Sequence, residues 1–256
     1  MKIAFVEWPE GLSVDHGEWQ RLMCSIQAAE IDLLVTNELP FGRWIADERS
    51  FSEDLARYSI DAHERGLEAL AALKLPAIIS SRPIWYNERL VNEAFVLEHG
   101  YVRALHRKQY FPSEPGWYED DWFVGDGSGF AVNEVLGIKV GILLCTEAMF
   151  NEHARAYGKQ EASLIIIPRA TGRDTTMWKT AAAMASLVSG AYVVSSNRTG
   201  RSKSGTVFGG RGFAYAPEGQ MLTQTSKANT LQVFELDLAL SDAARRSYPC
   251  YVSELN

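Results

Sequence analysis

Gly141-Ile-Leu-Leu-Cys-Thr-Glu147 is a short apolar run that stops at a thiol and turns polar at once. A run bounded in this way reads as a buried strand. A strand that turns sharply into a helix lifts its last side chain clear of the sheet. A helix N-terminus also lowers a thiol's pKa, so the pattern predicts a thiolate-prone Cys145. The plain alternative is a small core residue, since most free cysteines are buried and inert. Two other runs end in a similar manner. Ile31-Asp-Leu-Leu-Val-Thr-Asn-Glu38 stops at a carboxylate, and Leu105-His-Arg-Lys108 brings a lysine to a strand end. A carboxylate closing an apolar strand is costly unless it is paired or functional. Singly, Glu38 and Lys108 read as exposed strand ends. Together with Cys145 they are a base, a cation for a developing oxyanion and a nucleophile.

Working outward, apolar runs alternate with helical stretches. Lys2 to Trp8 reads as a strand. The stretch from about His16 to Glu30 reads as a helix with Trp19, Met23 and Ile26 on one face. Ser52 before a Leu/Ala-rich stretch to Lys74 predicts an N-capped helix. Three strands follow, Ala77 to Ile84, Leu90 to Glu98 and Val102 to Arg107, with turns at Asn87-Glu88 and His99-Gly100. Residues 110 to 128 show no periodicity, and ordered loops of that length are often functional. Strands at Phe130 to Val135 and Ile138 to Leu144 come next. A helix from about Ala148 to Lys159 leads to the strand Leu164 to Pro168. Thr175 to Gly190 reads as a helix and Ala191 to Asn197 as a strand. Thr199 to Gly210 reads as a polar, Gly-rich loop. Phe213 to Ala216 and Leu222 to Thr225 pair across Pro217-Glu218-Gly219. Leu231 to Leu238 is the last strand, and the tail from about residue 240 shows no clear pattern. The alternation predicts one layered α/β domain over residues 1–256 with mixed sheets inside and helices outside.

The bulk numbers bound the partners. The 256 residues are 46% hydrophobic, enough for a large core. A net charge of −7, with no basic run, argues against nucleic acid or an anionic membrane as the main partner. No apolar stretch is long enough to span a bilayer, and Met1-Lys-Ile-Ala-Phe-Val lacks the zones of a signal peptide. Three cysteines are sparse for a disulfide framework and point to a reducing cytoplasm. The five histidines have no metal-ligand spacing, so no metal cofactor is expected.

In order along the chain, these segments resemble the nitrilase superfamily of carbon–nitrogen hydrolases. Gly141 to Glu147 is similar to its nucleophile segment. Arg107-Lys108-Gln-Tyr-Phe-Pro-Ser-Glu114-Pro-Gly-Trp-Tyr118 is similar to its lysine segment, and Leu33 to Pro40 to the segment carrying the base. Ala162 to Pro168 with Trp178, Ala191 to Gly200, and Gly210 to Gly219 resemble the later signatures. The resemblance implies an α-β-β-α sandwich that dimerises through helices, with Glu38 as base, Lys108 as oxyanion stabiliser and Cys145 as nucleophile. It further implies Glu114 as a fourth, supporting carboxylate and the backbone N–H of Thr146 as an oxyanion donor. Departures are Asn37 before the base, Thr146 after the nucleophile, Glu147 where many amidases have Asp, and Gly212 where the hairpin often has Ser.

The implied activity is hydrolysis of a small amide or N-carbamoyl compound through a cysteine thioester. A nitrilase, a transferase and a catalytically idle binding domain are the rival readings. Arg169 and Arg173 follow the strand Leu164 to Pro168, and a guanidinium there could clamp a substrate carboxylate. An ordinary salt bridge is the alternative. Trp117 and Trp178 are expected to wall the pocket or to serve as packing elements. The loop 199 to 210 reads as a rim or an oligomer contact, and the C-terminal tail as a strand of chain at a dimer interface.

Overall fold

The computed structural model describes residues 1–253. The first half contains β1 (Lys2–Val6), α1 (Gly17–Ala28), β2 (Leu33–Val35), α2 (Glu53–Ala71), β3 (Ala77–Tyr86), β4 (Arg89–Glu98) and β5 (Tyr101–Arg107). A ribbon of β6 (Ser113–Glu114) and β7 (Trp117–Tyr118) interrupts the long loop, followed by a 3-10 turn at Glu119–Asp121. The second half holds β8 (Asn133–Val135), β9 (Ile138–Ile142), a 3-10 turn at Cys145–Met149, α3 (Asn151–Lys159), β10 (Leu164–Ile166), α4 (Thr176–Ser189) and β11 (Tyr192–Ser195). Then come β12 (Thr199–Arg201), β13 (Val207–Gly209), β14 (Phe213–Tyr215), β15 (Met221–Gln224), β16 (Leu231–Glu235) and α5 (Leu238–Arg245).

Two six-stranded sheets form, ordered β16-β1-β2-β3-β4-β5 and β15-β14-β11-β10-β9-β8. Each has three parallel strands at its centre and antiparallel strands outside them. Strand periodicity explains the layering. Ile3 and Phe5 of β1 point into the space between the sheets, where they join Leu33, Val35, Ile79, Val140, Ile142, Ile166 and Val194. Ala4 and Val6, one residue out of step, pack with Leu34 and Ile78 against Trp19, Met23 and Ile26 of α1 and Leu70 of α2. On the other sheet Ile165 and Val193 pack against Ala182 and Ala185 of α4. Both faces of these strands are buried, so they read as continuous apolar runs. Each fully buried Val, Leu or Ile contributes about 1.5–3 kcal/mol. The result is the expected α-β-β-α sandwich.

Local signals hold where the chemistry is strong. Ser52 Oγ accepts the N–H of Leu55 at 3.3 Å and caps α2. The β3–β4 turn uses Asn87 and Glu88 at φ +48° and +61°, as a tight hairpin requires. Gly190 ends α4 at φ +66°. Two expectations change. Residues 199–210 are a two-stranded ribbon rather than a loop, because Thr199↔Gly209 and Arg201↔Val207 pair. Residues 238–245 are helical, because Asp237 accepts the N–H of Ala239 and caps α5. Residues 246–253 form turns and an irregular end, and residues 254–256 lie outside the described residues. No helix among the described residues is long and apolar enough to cross a membrane.

Candidate active site

Strand direction brings the three sequence-predicted groups together. β2 is parallel to β3, and β5 lies two antiparallel steps from β3, so β2 and β5 run the same way. Glu38 and Lys108 follow the ends of β2 and β5 at one edge of the first sheet. Cys145 follows β9 of the facing sheet. Lys108 Nζ donates to Glu38 Oε1 at 2.8 Å. All three side chains are buried, Glu38 and Lys108 with no exposed surface.

The second carboxylate on the lysine is Glu119. Lys108 Nζ donates to Glu119 Oε2 at 2.5 Å, whereas Glu114 is exposed in β6 and lines the mouth of the cavity. Glu119, not Glu114, is therefore the carboxylate on Lys108, which leaves Glu114 the substrate side of its expected role, and the physical reason is local. The 3-10 turn closes as the Glu119 carbonyl accepts N–H groups of Trp122 at 3.0 Å and Phe123 at 2.8 Å. Both aromatics are buried, and their anchoring turns the Glu119 side chain inward. Glu119 could have been suspected as an acid directly after Trp117-Tyr118, but Asp120 and Asp121 made the run look solvated. A second missed group is Asn92, a polar side chain in the apolar strand β4. Its Nδ2 donates to Glu38 Oε1 at 2.9 Å. Glu38 Oε1 is thus held twice, while Oε2 is buried without a hydrogen-bond partner in the fold.

Cys145 stands at φ +49°, a left-handed conformation that costs a non-glycine residue energy and recurs at functional elbows. Its N–H donates to the Pro168 carbonyl at 2.9 Å, which ties the elbow to the chain after β10. Glu147 accepts from the N–H of Leu144 at 2.7 Å and of Gln109 at 2.6 Å, and pairs with His106 Nε2 at 2.8 Å. Glu147 therefore clasps the elbow to the lysine strand and is buried, away from the cavity wall. Leu39, the residue after the base, is held at φ +43° by its N–H bond to Ser81 Oγ at 2.8 Å. The buried Arg198 guanidinium bonds the Leu39 carbonyl and pairs with Glu10, fixing the same bend.

The electrostatics differ from the thiolate expected at a helix start. Burial pushes the Cys145 thiol pKa above its usual value, the Glu38 charge adds to this, and Lys108 opposes it. The turn after Cys145 is a five-residue 3-10 segment, too short to act as a full helix dipole. Burial disfavours the Lys108 charge, but Glu119 and Glu38 overcome it and hold the ammonium protonated. Burial raises the Glu119 carboxyl, and the Glu38 charge raises it further against the pull of Lys108. A protonated thiol within electrostatic reach of Glu38, whose second oxygen has no partner, is an arrangement that can move a proton from sulfur to oxygen. The fixed ammonium can then stabilise an oxyanion.

Cys145 and Thr146 line a cavity of about 340 Å³ together with Trp117, Arg173 and Trp178. Trp117 is fixed by its Nε1 bond to the Ala170 carbonyl at 2.6 Å. Arg169 is not brought to this wall. Its guanidinium is fully buried and donates to Ser195 Oγ at 2.6 Å, Thr171 Oγ1 at 3.0 Å and the Arg211 carbonyl at 3.3 Å. Burial pulls its pKa down to about 10, with Cys145 opposing. It packs over the Phe213 ring at 4.6 Å, so Arg169 is a structural tie and not a substrate clamp. A larger cavity of about 720 Å³, against Phe51, Trp85 and Trp122, contains none of the candidate residues. Among the described residues no cluster of His, Cys, Asp or Glu could hold a metal ion.

Known proteins share the fold and much of the sequence. The N-carbamoylputrescine amidase of Arabidopsis thaliana is 26% identical over 161 residues, 57% of this chain and 54% of that protein. An (R)-stereoselective amidase of Pseudomonas sp. is 28% identical over 162 residues, 62% of this chain and 57% of that protein. The chain thus spans about half the length of the curated relatives it matches. Among solved structures, a carbon–nitrogen hydrolase from Helicobacter pylori G27 superposes with a TM-score of 0.86 at 21% identity, covering 98% of this chain and 94% of that one. An amidase from Nesterenkonia sp. does so with a TM-score of 0.77 at 20% identity, covering 94% and 92%. The carbon–nitrogen hydrolase family profile matches residues 12–246, nearly the whole chain, and the protein belongs to that family, within the nitrilase superfamily.

Proposed function

We propose that the protein is a thiol-dependent hydrolase of a small amide or N-carbamoyl compound. The observation that carries this reading is the division of labour on Glu38. Oε1 is fixed by Lys108 and Asn92, and Oε2 is left without a partner near a thiol that burial keeps protonated. In the reaction Glu38 takes the proton of Cys145 as sulfur bonds to the carbonyl carbon. The oxygen gathers charge beside Lys108 Nζ and the N–H of Thr146. Collapse expels ammonia or an amine, which leaves with the proton held by Glu38, and a thioester remains. Water then attacks the thioester, giving a proton to Glu38, and the acid departs as the thiol is restored. Glu119 positions Lys108, and no step calls for a metal or organic cofactor.

The names of the relatives support carbamoyl and amide compounds, since they include N-carbamoylputrescine amidase, an amidase and the citrullinase of Francisella tularensis. In a glutamate-to-leucine mutant of the Nesterenkonia sp. amidase the active-site cysteine shows covalent addition of the acetamide moiety of fluoroacetamide. The test is ammonia release by the wild type and by Cys145→Ala from matched small amides, N-carbamoyl amino acids and nitriles. Release from amides or carbamoyls that disappears in the variant is expected. Release from nitriles alone would replace this reading with a nitrilase, and release that survives in Cys145→Ala would refute it.

The reading includes a homodimer formed through helices, in a cytoplasmic setting. Support comes from apolar side chains left exposed on α4 and α5, Met177 at 61%, Met184 at 47%, Leu238 at 45% and Leu240 at 44%. Light scattering at micromolar concentration should give twice the chain mass of 28.5 kDa, and Met184→Glu should shift it toward one. A monomeric wild type would contradict this part.

A further inference from the structure

Strand β5 carries one residue more than its partner can match. Phe95 of β4 pairs with Ala104, while its neighbour Ala94 pairs with His106, so Leu105 is the extra residue of a β-bulge. In a regular strand successive side chains alternate between the two faces. Here Leu105 packs in the core between the sheets, and His106, opposite Ala94 of that same core, also turns toward the facing sheet. Lys108, two residues on, keeps that direction and meets Glu38. A slip of one residue turns every later side chain over. Without the bulge Lys108 would point to the helix side of the sheet, where Phe95 and Leu97 of β4 pack. The register at the bulge therefore decides whether the ammonium faces the site.

His106 grips that register. Its Nε2–H is shared between the two oxygens of Glu147, at 2.8 Å from Oε2 and 3.0 Å from Oε1. Each oxygen accepts one backbone N–H as well. Oε1 takes that of Gln109, the residue after Lys108, at 2.6 Å. Oε2 takes that of Leu144, the residue before Cys145, at 2.7 Å. One carboxylate thus joins the lysine segment of the first sheet to the nucleophile segment of the second, and the imidazole is the donor that spans both its oxygens. Apolar packing between the sheets is not directional, whereas these bonds are. The ring is itself confined. Phe130 lies against it at 5.0 Å between centroids and stacks on His153 at 3.5 Å. A buried carboxylate that loses a donor keeps the cost of leaving water without the compensation.

We propose that His106 is a positioning residue: through Glu147 it holds the bulged register of β5 and keeps Lys108 aimed at the carbonyl that Cys145 attacks. The proposal rests on the hydrolase reading above. Neither His106 nor Glu147 lines the cavity of Cys145, so loss of the tie moves the ammonium and leaves the substrate's walls in place. The effect belongs in kcat rather than in KM.

The experiment is steady-state kinetics of His106→Asn and His106→Gln on one small amide, with the Tm of each. A glutamine amide nitrogen lies as many bonds from Cβ as the imidazole Nε2 and can still donate to Glu147, whereas that of asparagine falls one bond short. His106→Asn is expected to lose roughly 10- to 100-fold in kcat, the cost of a misplaced group, with KM little changed. His106→Gln is expected to recover most of that loss. A tie that serves stability alone would lower Tm and leave kcat, measured below the melting range, at the wild-type value, and this result would overturn the proposal. Equal losses in the two variants, or a loss carried by KM, would do the same. If the wild type turns nothing over, the hydrolase reading fails by itself. The positioning is then read from the rate at which iodoacetamide alkylates Cys145, followed by mass spectrometry of its peptide. A slower rate in His106→Asn that His106→Gln restores supports the proposal, and equal rates in all three proteins refute it.

Discussion

At the scale of residues, the account turns on four buried polar side chains that share protons and charge. Glu119 is the discriminating case, since it and not Glu114 touches Lys108. Glu119→Gln removes a carboxyl oxygen that bonds the Lys108 ammonium and shifts it from its place, for which a loss of about 100-fold in kcat/KM is expected. Glu114→Gln, at the rim, should change kcat/KM far less. Steady-state kinetics on one small amide check both, and an equal loss in the two variants would contradict the assignment. Lys108→Met should cost at least about 100-fold in kcat, as removal of an oxyanion donor does. Cys145, Glu38 and Lys108 were legible through the resemblance of their segments to the family; alone, Cys145 read equally as a core residue and Glu38 and Lys108 as exposed strand ends. Glu119 and Asn92 were not. A carboxylate inside an acidic triplet looks solvated, and a single asparagine within a strand carries no sign of which face it occupies. Arg169 was legible as a cation near the site but not as a buried tie, because its acceptors Ser195, Thr171 and the Arg211 carbonyl come from three separate segments.

At the scale of elements, local chemistry predicted where helices and hairpins start and stop. Ser52→Ala should remove the cap of α2 and lower stability by about 1 kcal/mol in urea denaturation. Gly66 lies within α2, and a Cβ there would stand 2.2 Å from Phe41 Cδ2. Gly66→Ala gains helix propensity but overpacks the bend that follows Glu38, and such overpacking costs about 1–3 kcal/mol. A fall in Tm together with lower kcat is expected, and a raised Tm would contradict the packing account. Strands were legible as apolar runs, although β2 and β10 are shorter than the runs that contain them. Glu38 lies beyond the end of β2, and beyond β10 Arg169 still bridges Asn197 in parallel. The ribbon β12–β13 was read as a loop because glycines and charges hide its pairing. Its close approach to Gly172 and Arg173 is a tertiary fact that composition does not carry.

At the scale of the whole molecule, two sheets of like topology face each other, and the site sits where strand ends of both converge. The layer order was legible from alternation of strands and helices, but the convergence follows from strand directions that only the assembled sheets define. Burial on this scale also sets a pH dependence. His63 is fully buried, its Nδ1 bonds the Ser59 carbonyl at 2.7 Å, and burial pulls its pKa down to about 4. The unfolded chain binds a proton near pH 6.5 and the folded chain does not, so this contribution is intact above pH 6.5 and declines as pH falls toward 4. Between pH 7.5 and 5 the loss is about 2 kcal/mol, and urea titrations of the wild type against His63→Asn should show a smaller loss in the variant. The central claim is that Cys145 carries the acyl group. The most direct measurement is intact-protein mass spectrometry after rapid acid quench of the enzyme turning over a small amide. The account predicts added mass equal to the acyl group, located on the peptide containing Cys145 and absent from Cys145→Ala. Steady turnover with no such adduct under any quench time, or an adduct that persists in Cys145→Ala, would contradict it.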